Sequence, residues 1–192
     1  MTGKPIMFAV ALFACMPATA FAQTFAIDQG SFMLGGALSF TSRGGELYED
    51  NNEDRLNALS LNPTLQFFLR RGIAVGGTIL VSRTWQGDFS QSTFGIGPRI
   101  SAFFGTPTLN AYPFLSLSPI YVSNTTDFGT GDISGSGFGV HLTGGAALMV
   151  ARNVSVTIGL FYLYESNSFD ELDDSFTGNT FGIEMGIAAF IF

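Results

Sequence analysis

The chain of 192 residues sets 8 Lys and Arg against 15 Asp and Glu, and only 12% of its residues are charged. That acidic balance argues against nucleic acid as a partner. With 24 glycines and 21 phenylalanines, the composition also departs from that of a soluble domain.

In chain order, the first feature is a segment to be removed before any reasoning about fold. Lys4 supplies a positive start, Ile6 to Met16 an apolar stretch and Ala20-Phe21-Ala22 a small-x-small cleavage pattern. Residues 1–22 therefore read as a secretory signal, with Gln23 as the first mature residue. The apolar stretch is too short to span a bilayer as a helix. A lipoprotein site at Leu12-Phe13-Ala14-Cys15 is the rival reading, disfavoured by the bulk of Phe13 and the early position of Cys15. Cleavage takes away Lys4 and Cys15, the only lysine and the only cysteine. Residues 23–192 are then one domain with seven arginines against fifteen acidic residues, a net charge of −8, and disulfide and thiol chemistry are excluded.

After the signal, no stretch offers the roughly 20 consecutive apolar residues of a helical membrane span. Strand periodicity is present instead. In Leu59 to Phe67 the odd positions are apolar, apart from Pro63, while Ser60, Asn62, Thr64 and Gln66 lie between them. This is the period of two of a strand with one greasy face. The alternation recurs from Ile73 to Val81, from Phe138 to Val150 and from Val154 to Tyr164, and in more glycine-rich form in Phe32 to Phe40 and Phe94 to Ile100. Small residues such as Gly35, Gly76, Gly95, Gly139 and Gly159 occupy the opposite face. Eight segments are expected, near 30–42, 58–69, 73–85, 92–104, 111–123, 137–150, 154–165 and 176–192. An all-β, eight-stranded, antiparallel up-and-down transmembrane barrel satisfies every backbone amide in lipid, and its narrow interior needs small side chains.

The connections alternate in length. Arg70-Arg71-Gly72, Gly105 to Asn110 and Ala151-Arg152-Asn153 are short; those near 43–57, 86–91, 124–136 and 166–175 are expected to be mostly longer and polar. Long loops outside and short turns in the periplasm put both termini on the periplasmic side. Two interfacial aromatic girdles are expected. One holds Phe67, Phe104, Tyr112, Phe190 and Phe192 at the short-turn end, the other Phe40, Trp85, Phe94, Tyr121, Tyr162 and Tyr164 at the far end.

The signal, the eight segments, the run from Asn62 to Gly77 and the terminal Phe192 together resemble the small eight-stranded bacterial outer-membrane β-barrel proteins of the OmpX/OmpA-domain type. The resemblance implies an integral outer-membrane monomer surrounded by lipid and lipopolysaccharide. It also implies that Phe190 and Phe192 form a terminal assembly signal read by the barrel-assembly machinery. Ile183, Met185 and Ile187 lie on the opposite parity from Phe190 and Phe192, so a β-bulge near Ala188-Ala189 is expected. Pro63, Pro98, Pro113 and Pro119 each remove a ladder donor, and the alternation gives no account of Pro63 and Pro98.

Chemistry-bearing residues are few. His141 shares the interior face with Gly139 and Thr143 and is read as an interior polar residue, since a threonine rather than a serine follows and no acid is near in sequence. Arg99 and Glu184 fall between lipid-facing apolar residues and are read as a lumenal ion pair. Acidic runs at Glu46, Glu49, Asp50, Glu53 and Asp54 and at Asp170, Glu171, Asp173 and Asp174 are read as solvated loops rather than cation sites. Asp127, Gly129, Gly131, Asp132, Gly135 and Gly137 match neither a calcium repeat nor a nucleotide loop, because no repeat and no following helix accompany them. Phe68, Phe103, Phe161 and Leu163 on the inner face would block a pore. No cofactor or catalytic residue is assigned. The function expected is a non-enzymatic, structural or interaction role in the envelope, with acidic surface loops. The alternative is a small transporter or ligand-binding barrel for hydrophobic solutes.

Overall fold

The computed structural model describes residues 26–43, 55–106, 109–127, 131–169 and 175–192, with Ser42, Arg43, Asp132 and Phe169 described in their backbone alone. The cleavage region, both acidic runs and Gly129 lie outside the described residues. Eight strands follow one another: β1 Phe32–Arg43, β2 Leu56–Arg70, β3 Ile73–Gln86, β4 Phe89–Phe103, β5 Ala111–Asp127, β6 Asp132–Ala151, β7 Val154–Phe169 and β8 Ser175–Ile191. Each pairs antiparallel with the next, and β1 with β8 closes the barrel.

The alternation of sequence becomes an alternation of faces. Leu34, Leu38, Leu61, Leu65, Ile96, Ile100, Leu115, Leu117, Ile158 and Leu160 all point out, where lipid rather than water is the solvent that makes a greasy surface stable. The intervening side chains are buried in the lumen.

Strand ends differ from expectation on one side of the barrel. β6 begins at Asp132 rather than 137, β5 runs to Asp127 and β7 to Phe169, all extensions toward the long-connection end. Apart from Ile133 and Phe169 these added residues are Ser, Thr, Asn, Asp and Gly, which pair through their backbones but show no greasy stripe to read. The connection expected at 86–91 is in fact the two-residue turn Gly87-Asp88, with Gly87 at φ 52° and Gln86 opposite Phe89.

Pro113 lies at the start of β5, by the rim, whereas Pro63, Pro98 and Pro119 lie inside their strands and at no bulge. Pro63 stays in register with Gly36 of β1, but toward β3 the rungs jump from Leu61 opposite Val81 to Thr64 opposite Thr78. Pro98 pairs with Gly77 and Pro119 with Val140, and both fall in one gap between the rungs Ile96 opposite Tyr121 and Ile100 opposite Leu117. Register is the same on both sides of each gap, so the wall omits rungs without slipping. At the first gap the Thr78 hydroxyl donates to the Pro63 carbonyl at 3.4 Å.

The bulge expected at Ala188-Ala189 is also absent. β8 pairs without a shift from Ser168 opposite Ser175 to Val154 opposite Ala189, and from Leu38 opposite Met185 to Phe32 opposite Ile191. Ile183, Met185, Ile187 and Ile191 therefore all face out, and Phe190 faces in, 2% exposed. Tyr112 is likewise turned inward, because Pro113, Leu115, Leu117 and Tyr121 hold the outer parity of β5. Both leave the aromatic girdle in which sequence alone had placed them.

Candidate functional site: the barrel interior

The lumen is layered along its axis. At the short-turn end lies an apolar floor. Phe68 is fully buried, with the rings of Phe103 at 5.5 Å and Phe190 at 6.3 Å from its own, and Phe114 stands 5.5 Å beyond Phe103. Ala26 and Ile27 complete this layer from beneath. They belong to a turn before β1 that folds under the barrel, held where Gly30 N–H donates to the Phe68 carbonyl and Phe68 N–H to the Ser31 carbonyl, each at 2.9 Å. Gly72, at φ 74°, donates to the Ile27 carbonyl at 2.9 Å and accepts from Phe103 N–H at 2.6 Å. A side chain at Gly72 would collide with the Phe103 carbonyl, so only glycine serves at this junction.

Above the floor is a polar belt. Gln66, Thr78, Arg99, Ser101, Ser116, Thr143, Ser155 and Glu184 are all buried there. Ser101 and Ser116 share a hydrogen bond of 2.8 Å between adjacent strands. Arg99 and Glu184, from β4 and β8 on opposite sides of the barrel, both line a cavity of about 40 Å³ together with Asn62, Gln66 and Ser116. Each lies within the other's electrostatic reach, and the Glu184 carboxylate lies beside Thr143 and Asn62. Arg99 Nε and Glu184 Oε2 have no hydrogen-bond partner among the described residues.

The third layer is an open cup of about 300 Å³ toward the long connections. Its apolar lining includes Leu80, Leu163 and Phe161, which pack in one cluster with Ile120 and Val122. His141, 5% exposed, sets its ring edge-on to Phe161 at 5.6 Å. The walls are hydroxyls and amides: Ser60 donates to Ser82 at 2.9 Å and Thr93 to Asn124 at 2.6 Å. Gly182 lets the Phe161 ring lie flat against the wall, since a Cβ there would meet that ring.

Of His141, Thr143 and Glu184, the nearest approach to a hydrolase constellation, Glu184 lies beside Thr143 but His141 opens onto a different space. His141 lines the cup, whereas Glu184 lines the small cavity below it. Among the described residues no group of three or more His, Asp or Glu gathers as a metal site would require. Phe192 lies at the short-turn end, its ring 5.6 Å from the Arg152 guanidinium, and the neighbouring Phe190 N–H donates to the Asn153 carbonyl at 2.8 Å. Sequence reasoning missed the cup's acceptors Glu165 and Asn167, which sit beyond the last apolar alternation of β7.

No family description matches the chain, and no curated protein does. Solved structures do. Neisserial surface protein A superposes with a TM-score of 0.57 at 14% identity, covering 84% of this chain and 97% of its own. The fold is that of the small eight-stranded outer-membrane β-barrels. Two further barrels of this fold, both from Pseudomonas aeruginosa, align over similar lengths. OprG gives a TM-score of 0.55 at 11% identity, covering 88% of this chain and 98% of its own; the N-terminal domain of OprF gives 0.52 at 12%, covering 85% and 98%. At such identity the likeness carries the architecture and leaves the layers of this outer-membrane-type barrel to be interpreted on their own residues.

Proposed function

We propose that this chain is a non-enzymatic integral protein of the bacterial outer membrane, exported by residues 1–22, whose barrel anchors the polar, acidic connections of one end for a structural or interaction role in the envelope. The observation that carries this reading is the floor. Phe68, Phe103, Phe114 and Phe190 fill the lumen at the short-turn end, and the Ala26-Ile27 turn covers them. A narrow barrel closed in this way has no continuous path for ions or solutes. The alternative, a small transporter for hydrophobic solutes, needs a passage where these rings stand. Chemistry on a bound substrate is disfavoured by the separation of His141 from Glu184 in two cavities. Lipid and lipopolysaccharide are the surroundings that suit the outer face, the barrel-assembly machinery the partner in biogenesis, and a monomer with periplasmic termini the resting form. No cofactor is invoked.

The test is ion conductance of the purified protein in planar bilayers. No steady channel above the bare-bilayer background is expected. Steady unitary currents would overturn the closed-floor reading and favour the transporter.

A further inference from the structure

The cup above the floor has a chemistry of its own. Among the described residues that line it, Glu165 carries the one formal negative charge, and no Lys or Arg faces it. Glu165 Oε1 and Asn167 Oδ1, two residues apart on the inner face of β7, are buried acceptors without a hydrogen-bond partner. Buried acceptors in a folded protein are normally satisfied, so two unsatisfied ones on side chains that line the same cavity mark a place where donors belong.

Their positions are set by the neighbouring strand. Gly137 stands opposite Asn167 and Gly139 opposite Glu165. A Cβ at Gly137 would meet the Asn167 side-chain oxygen at 2.5 Å, and one at Gly139 would meet the Glu165 Cγ at 3.4 Å. Gly137 thus makes room for the Asn167 carboxamide oxygen, which lies against it, and Gly139 borders the Glu165 side chain. Below lie the apolar faces of Leu80, Leu163 and Phe161. The cup therefore offers a carboxylate and an amide at successive inward positions of β7, with a greasy, aromatic base toward the floor.

We propose that this cup binds a small primary amine with a short apolar body, its ammonium held by Glu165 and Asn167 and its apolar part resting on Phe161 and Leu163. An ammonium supplies three donors and a positive charge, which match one carboxylate and one carbonyl oxygen. A face of Phe161 adds attraction for the same cation. A divalent metal fits less well, since one carboxylate is far from the six to eight oxygens that a hard cation gathers, and no second acid joins Glu165 among the described residues. A neutral polyol would leave the charge unmatched, and a carboxylate ligand would be repelled.

The experiment is NMR titration of the protein, expressed from its full sequence and extracted into detergent micelles, with butylammonium chloride. Butanol, sodium butyrate and calcium chloride serve as matched controls. Saturable shifts of the Glu165, Asn167 and Gly137 amides are expected with butylammonium and not with the controls at equal concentration. Glu165→Gln, nearly isosteric, should weaken binding at least tenfold while leaving the barrel's amide spectrum in place. Gly178→Leu is the second variant: Gly178 pairs directly with Glu165, and open space surrounds a Cβ placed there. Its side chain should occupy the ammonium position and weaken binding at least fivefold. Absence of saturable shifts, equal response to butanol, or unchanged affinity in both variants would overturn the proposal, and a response to calcium alone would replace it with a metal site. The conductance test depends on the floor and this titration on the cup, so either can fail without the other.

Discussion

The carbonyl of Ile27 accepts a hydrogen bond from the N–H of Gly72 at 2.9 Å, which ties the segment before β1 to the turn between β2 and β3. Ile27 is 1% exposed and meets the floor from below. Removing its side chain leaves a void that the rigid wall cannot collapse into. Ile27→Ala should therefore cost about 2–5 kcal/mol in urea unfolding from detergent micelles. A loss below 1 kcal/mol would mean that the turn lies on the barrel without supporting it.

Arg99 and Glu184 are expected to depend on each other. Both are buried in one cavity that has little room for solvent. Truncating either to alanine strands the other charge and should cost roughly 3–5 kcal/mol, with the double variant recovering much of the loss. Additive losses in the double-mutant cycle would show that each charge is satisfied separately by neighbours such as Thr143 and Asn62.

The lipid face can be tested at Val140, which is 42% exposed on the outside of β6 and flanked by the inward Gly139 and His141. Val140→Arg should destabilise by about 2–4 kcal/mol if Val140 lies near the bilayer midplane. Comparing it in lipid vesicles with the same change at Val150, close to the β6–β7 turn, should give a smaller loss at the latter. Equal losses at the two sites would contradict a membrane-centred β6.

The last two phenylalanines of the chain should separate by phenotype. Phe190 packs with Phe68 in the floor, so Phe190→Ala should lower the unfolding free energy by about 3–5 kcal/mol. Phe192 lies at the rim with its ring against Arg152, so its deletion should disturb unfolding far less than Phe190→Ala while lowering the amount of barrel assembled in the membrane. Normal membrane levels without Phe192 would remove it from the assembly signal.

Mass spectrometry of the protein recovered from membranes should find Gln23, free or cyclised, at the start. A diacylated Cys15 in its place would overturn the export assignment.

The strand count and most of the face assignments were legible because lipid and lumen impose opposite chemistry on successive residues. The pattern failed where that contrast fades. At Asp132 to Ser136 and Ser166 to Phe169 polar residues and glycine fill most positions of both faces, so no stripe marks the strand. At Tyr112 and Phe190 an aromatic side chain suits either a girdle or a packed lumen, and its type alone could not decide; only the unbroken register did. Arg99 and Glu184 were found through their apolar neighbours. Glu165 and Asn167 were not, because the residues beside them at the barrel's rim carry no such signal.

The two gaps at prolines flank the same pair of strands, while β1 and β8 part beyond Leu38 opposite Met185. β3 and β4 are stitched to each other on every rung from Ile73 opposite Ala102 to Gln86 opposite Phe89, yet each is released from its outer neighbour close to mid-height. The cylinder is therefore not equally stiff around its circumference. This hairpin is a panel with a soft crease along either margin, where bending and exchange of buried amides should be faster than within the hairpin itself. A bilayer that squeezes or thins around the protein would press on a surface that yields in one chosen direction.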